Sequence, residues 1–330
     1  MNIKNIVNKL ELAYSPLTGY EFAHVKQDPY IEQALEEASL YVIAQRPIIT
    51  FENVIPNPDP LNYSLNFEIH QRGNSNILKG NLPLIQSCTD CAFDDNIVLA
   101  FNFLDNENIQ KSFPLGNLHG FSLAKETPSK PEFLLWFSPE KLLQNWWKGQ
   151  IECKIDGDFK SFLTYKVHYV GKATKQGILK RLTGHNTFQD ILSLEKPINY
   201  KDLPANEIAI LCFKFKDNIQ FQVFRDVIDM KEMKSSLLGE NFPNQEKIFL
   251  DAEKALIRAM EPKYNKELFK GYPKSKDGLF TNNYDYISYS FVDPITLKYK
   301  EGEINGSISH DGCDSIVIKG NKEVTLAKAK

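Results

Sequence analysis

The chain has 330 residues and a mass of 37.8 kDa, with 42% apolar and 25% charged residues. This excludes a largely disordered, collagenous or disulfide-dense protein, and the length suggests two domains. No stretch reaches the eighteen or so consecutive apolar residues of a membrane span, and the polar opening lacks the apolar core of a secretory signal. Five cysteines without a regular framework fit a reducing interior, so a cytoplasmic protein with no membrane partner is expected.

Ile31, Ala34, Leu35 and Ala38 recur at helical spacing and predict a helix over 28–44. A turn rich in proline follows at 55–60, then alternating runs at 63–69 and 96–102 that read as strands. Cys88 and Cys91 form a lone Cys-x-x-Cys without a second pair for zinc, so reduced structural cysteines are expected. The first domain is therefore placed at 1–145, β-rich and suited to recognition or partner binding. A second domain spans 146–290, and 291–330 form a C-terminal β-hairpin extension.

Within the second domain, strands at 151–155 and 159–170 flank Asp156-Gly157-Asp158, a hairpin signal. A helix at 176–184, strands at 207–215 and 219–224, and a helix at 244–260 complete a small α+β unit. The net charge of −3 is uneven. Residues 1–159 hold 12 Lys+Arg against 20 Asp+Glu, residues 160–270 hold 19 against 14, and residues 271–330 hold 8 against 8. Between Lys160 and His185 no acidic residue interrupts the basic run, so Lys166, Lys172, Lys175 and Lys180, with Tyr165, are candidate nucleic-acid contacts.

Two helical faces carry the chemistry. Arg181 and His185 are four apart beside Tyr169. This reads either as an exposed polar helix face, the more common meaning of such a pair alone, or as a guanidinium, an imidazole and a phenol gathered for a phosphodiester. On the later helix Lys247, Asp251, Lys254, Arg258 and Glu261 form a stripe expected to face water. Glu253 lies off that stripe among Phe249, Leu250, Leu256 and Ile257. An unpaired carboxylate buried there costs several kcal/mol. It is therefore paired, protonated or bound to a metal.

Three stretches, Val167 to Ala173 (Val-His-Tyr-Val-Gly-Lys-Ala), Leu179 to His185 and Ala252 to Asn265, together resemble the GIY-YIG nuclease superfamily. The resemblance covers about residues 150–270 and implies a small antiparallel sheet with flanking helices. It also implies phosphodiester hydrolysis by water with Mg²⁺ (or Mn²⁺) on Glu253. Arg181 would neutralise phosphoryl charge, Tyr169 with help from His185 would take the water proton, and Asn265 would orient Glu253 or the substrate. An endonuclease is expected, with DNA as substrate and restriction or anti-phage defence as its setting. The alternative is a nucleic-acid or protein binding module whose nuclease site has decayed. The family's first tyrosine should lie on the preceding strand about eleven residues before Tyr169, where Asp158 stands instead. Tyr165 is the nearest substitute and shares a strand face with Tyr169 by simple alternation.

Overall fold

Two units cut across the linear order of the chain. Met1–Arg46, Leu163–Pro197 and Leu203–Lys330 make the first, and Pro47–Phe162 with Ile198–Asp202 the second. The structure, a computed structural model, describes residues 3–57, 63–84, 95–104, 112–174, 176–224, 230–309 and 312–329. Cys88, Cys91 and Lys175 lie outside the described residues.

The first unit opens with β1 (Ile3–Leu12), β2 (Leu17–Thr18), α1 (Gly19–Val25), α2 (Pro29–Ala34) and β3 (Leu40–Gln45). The chain then builds the second unit from β4 (Ile49–Pro56), β5 (Ser64–Gln71), β6 (Ile77–Pro83), β7 (Ile97–Phe103), β8 (Leu118–Lys125), β9 (Glu132–Phe137), α3 (Pro139–Trp147) and β10 (Lys154–Asp156). A 3₁₀ turn, Phe159–Leu163, leads back to β11 (Thr164–Lys172), α4 (Ile178–Thr183), α5 (Asn186–Leu194), α6 (Pro204–Glu207) and β12 (Ile208–Val223). There follow α7 (Met230–Leu237), α8 (Gln245–Met260), β13 (Tyr286–Phe291), β14 (Thr296–Tyr299), β15 (Gly302–Asn305), β16 (Ser315–Lys319) and β17 (Glu323–Ala327). Among the described residues no helix is long and apolar enough to cross a membrane.

The fold is α+β, with its strands in two sheets. In the second unit β10-β6-β5-β4-β8-β7, with β9 also on β8, form an antiparallel sheet around Phe51, Phe67, Phe121 and Phe137. In the first unit ten strands form a mixed sheet in the order β15-β14-β11-β3-β12-β1-β13-β16-β17, with β2 on β12. Two pairs are parallel, β1 with β13 and β11 with β14. This large mixed sheet replaces the small antiparallel one expected. The contiguous division at 145 and 290 gives way for the same reason: β1 lies between β12 and β13, so early and late segments share one sheet. Residues 291–330 are thus no appendage, since β14 pairs with β11 and β16 with β13.

Four local expectations are corrected. The helix begun at the Asp28 cap stops at Ala34, because residues 40–45 (Leu-Tyr-Val-Ile-Ala-Gln) are all buried as a strand between β11 and β12. The turn at Gly157 is real, with φ +121°, yet it joins no hairpin: β10 pairs with β6, and β11 with β3 and β14. Lys216 to Asn218 do not separate two strands. Lys9 opposes Asp217 while Leu10 opposes Phe215, so Lys216 is the extra residue of a bulge in one long strand. On α8, capped by Asn244, the stripe expected in water is partly buried. Asp251 accepts hydrogen bonds from the Tyr272 and Tyr289 hydroxyls (2.7 and 2.8 Å) and the Leu279 amide (2.7 Å), and Lys254 pairs with Asp277 at 2.9 Å.

β11 carries its own bulge. Val167 opposes Ala44 and Tyr169 opposes Ile43, so His168 is the additional residue and alternation reverses across it. His168 is 1% exposed, and its Nε2 donates to Gln45 Oε1 at 3.1 Å. Gln45 Nε2 in turn donates to Lys196 O and Glu207 Oε2, both at 2.9 Å. Burial lowers the His168 pKa from 6.5 to about 4, against the pull of Glu195. A proton that the unfolded chain accepts below about pH 6.5 is therefore refused by the folded chain down to about pH 4. Stability should fall as pH drops through that window, by on the order of 2–3 kcal/mol from this residue. Urea midpoints measured at stepped pH should show a shallower acid slope for His168→Gln than for wild type.

Candidate active site

The antiparallel register of β3 and β11 sets Tyr41 opposite Gly171. A Cβ at Gly171 would lie 2.6 Å from ring carbons of both Tyr41 and Tyr169, so only glycine lets the two phenols meet over the strand. Their ring centroids are 6.1 Å apart, and His185 lies 5.9 Å from Tyr41 and 5.0 Å from Tyr169. Arg181, in the last turn of α4, is exposed and close enough for its charge to act on all three rings. Lys172, the last residue of β11, reaches Glu253 on α8, with Nζ 3.0 Å from Oε2. Tyr169, Lys172, Arg181 and Glu253 line one cavity of about 260 Å³ with Ala173 and Thr174.

Burial raises the Tyr41 pKa above the usual phenol range, helped by Tyr169 and opposed by Arg181. Tyr169 is also raised, first by burial and then by Glu253, with Arg181 and the Tyr41 hydroxyl pulling the other way. Burial and then the Arg181 charge lower His185 below its ordinary value. Both phenols are therefore protonated and His185 neutral near pH 7. His185 caps α5, its Nδ1 accepting from the Phe188 amide at 3.1 Å. The proton of the neutral ring therefore sits on Nε2, and His185 enters the site as a donor. Burial raises Glu253, while Lys172 favours its charged form.

The expected residues are thus brought together by different means from those the sequence implied. Arg181 and His185 do not share a helix, since α4 ends at Thr183 and His185 begins α5. Asn265 does not reach Glu253. Its Oδ1 accepts from the Val170 amide (3.0 Å) and its Nδ2 donates to Val170 O (2.8 Å), which clamps the backbone beside Tyr169. Tyr165 is 0% exposed, on the far side of the His168 bulge and close to Arg46, so it is no nucleic-acid contact. Lys166 and Lys180 are exposed, and Lys172 is partly so. Tyr41 escapes a reading of the sequence because the helical spacing of Ile31, Leu35 and Ala38 runs on toward its strand. The signal was the run Leu40-Tyr41-Val42-Ile43.

Two larger cavities in the first unit gather no comparable chemistry. One of about 410 Å³ is lined by Glu36, Glu37, Lys214 and Glu246, and one of about 500 Å³ by Arg258, Tyr299 and Leu326. Among the described residues no three His, Cys, Asp or Glu side chains group as a metal cage. Comparison with protein-family models, with curated proteins and with solved structures gave no match.

Gly171→Ala should force the two phenols apart. Overpacking of this kind costs about 1–3 kcal/mol, so a lowered urea midpoint with shifted Tyr41 and Tyr169 ring resonances is expected. Unmoved rings would show that the strands yield instead.

Proposed function

We propose that the first unit is a divalent-metal-dependent endonuclease of the GIY-YIG kind, acting on nucleic acid with DNA as the expected substrate. The observation that carries this reading is the placement of Tyr41. The resemblance wants a tyrosine on the strand preceding Tyr169, and β3 supplies one on the antiparallel neighbour, with the second unit inserted between the two strands. The alternative is a nucleic-acid or protein binding module with a decayed nuclease site, and Tyr41 is the residue that favours the nuclease over it.

Glu253 is the residue that would hold Mg²⁺ or Mn²⁺. Mg²⁺ keeps several waters and takes one or two carboxylates plus substrate phosphate. A single carboxylate at a cavity of about 260 Å³ fits that demand, whereas a closed all-protein cage would not. The ion's chemistry when bound is to neutralise charge on the scissile phosphate and the leaving 3′ oxygen.

Every other contribution comes from the chain. Arg181, exposed at the cavity, binds a phosphoryl oxygen and stabilises the charge that develops there. Tyr169, protonated in the resting site, would first lose its own proton to solvent. The phenolate, which Arg181 favours against the opposing burial, would then take the proton of the attacking water. Tyr41 packs against that ring, and its hydroxyl would donate a hydrogen bond to Tyr169 Oη. His185 Nε2 donates to substrate or phenolate and does not act as base. Asn265 fixes the backbone of Val170 and thereby Tyr169.

The second unit carries 10 Lys+Arg against 15 Asp+Glu. Its acidity favours a protein or small-ligand partner over a nucleic-acid backbone.

Plasmid and RNA should be cut in the presence of Mg²⁺ or Mn²⁺, and Glu253→Gln and Arg181→Ala should abolish cleavage while nucleic-acid binding survives. Tyr169→Phe should slow cleavage by roughly two to four orders of magnitude, the range for losing a proton-transfer group. Tyr41→Phe, which removes a hydrogen bond to Tyr169, should slow it by less. Tyr165→Phe should leave the rate almost unchanged. If wild type cuts neither DNA nor RNA with either metal, the binding-module reading takes over.

A further inference from the structure

We infer that Lys172 is an internal cation occupying Glu253, released only when nucleic-acid phosphate offers it another anion, so that metal and substrate bind cooperatively. This rests on the nuclease reading and names how that site is regulated. Its ground is the ion pair itself: Lys172 Nζ lies 3.0 Å from Glu253 Oε2, inside the cavity that Arg181 and Tyr169 also line.

The neighbouring cation is committed elsewhere. Lys254 Nζ is held at 2.9 Å by both Asp277 Oδ1 and Leu250 O, and its side chain is 6% exposed. The Lys172 side chain, at 30% exposed, lines the cavity, while that of Glu253, on α8, is 11% exposed. A lysine ammonium is a compact charge on a flexible stem and exchanges partners readily.

The carboxylate paired with the ammonium is the one that would hold a divalent cation. An ammonium and a divalent ion cannot share it closely, since like charges a few ångströms apart repel strongly at low dielectric. In the free protein, metal must therefore displace Lys172 without giving it a new counter-charge. A bound phosphodiester supplies that counter-charge beside Arg181, and Glu253 is then open. Reciprocity follows: whatever factor nucleic acid adds to metal affinity, metal adds to nucleic-acid affinity. Lys172 is thus a positioning residue, and it delays assembly of the metal site until substrate is present.

The test is Mn²⁺ titration calorimetry on the full chain without nucleic acid, at about pH 8, well above the carboxylate range. Lys172→Met should bind Mn²⁺ about tenfold or more tightly than wild type, within the usual span of coupling between sites. Lys172→Gln keeps a hydrogen bond to Glu253 without charge and should show the same gain. It serves as the reporter if the methionine variant fails to fold. Lys172→Arg should resemble wild type, and adding Glu253→Gln to either neutral variant should erase the gain. Equal or weaker Mn²⁺ binding in the folded neutral variants overturns the inference, whether or not the protein cuts. A gain in Mn²⁺ affinity in a protein that never cuts overturns the nuclease reading and leaves the ion-pair exchange standing.

Discussion

The antiparallel pairing of β3 with β11 holds together everything in the first unit that could do chemistry. It sets Tyr41 opposite Gly171, places Tyr169 beside both, and ends at Lys172, from which the ion pair to α8 departs. The pairing joins strands separated by residues 47–162, more than a hundred positions. Closing a flexible loop of that size instead of one of about ten residues costs only about 2 kcal/mol, because the penalty grows with the logarithm of length. A folded insert presents an even shorter effective loop. Several buried strand pairs and the Gln45–His168 hydrogen bond offset a cost of that size.

Helix α8 is held from two directions, and this keeps Glu253 at the end of β11. On one flank Asp251 is buried with three hydrogen bonds, from Tyr272, Tyr289 and Leu279. Burial raises its pKa while these donors and Lys254 oppose the rise. On the other flank Lys172 meets Glu253 directly. Gly278 belongs to the same arrangement, since a Cβ there would collide with the Asp251 carboxylate. The 270–279 segment is thereby seated against the helix, and Asp277 is delivered to Lys254. The charged groups nearest the cavity are fixed by a network that the cavity itself does not contain.

Helix α8 was legible in the sequence because its determinants are local. Asn244 accepts from the Lys247 amide, the apolar period runs unbroken, and Pro262 follows the last turn. Glu253 could be singled out for the same reason, as a carboxylate among apolar neighbours. Tyr41 could not, because its place beside Tyr169 depends on a strand more than a hundred residues away, and Ile31, Leu35 and Ala38 continue a helical rhythm almost to it. Bulges hid the rest. A single additional residue at His168 turns Tyr165 into the core and Tyr169 towards the cavity, and one at Lys216 makes a polar triplet look like a turn. Alternation carries no warning of an inserted residue, since the bulge is fixed by partners on the neighbouring strand. The reach of residues 286–327 into the same sheet is likewise a matter of long-range pairing, beyond local propensity.

The insertion of the second unit also sets a timetable for synthesis. β3 has β11 and β12 as its neighbours, and both are translated after residues 47–162. At roughly 5–20 residues per second, the ribosome spends on the order of ten seconds on that stretch. The second unit can complete most of its own sheet in that time, while Leu40–Gln45, buried at every position in the finished fold, waits without a partner. β1 waits longer, since it needs β12 and β13. The nascent chain thus carries two unpaired strands past a folded neighbour, and slower translation across 47–162 lengthens their exposure to other chains.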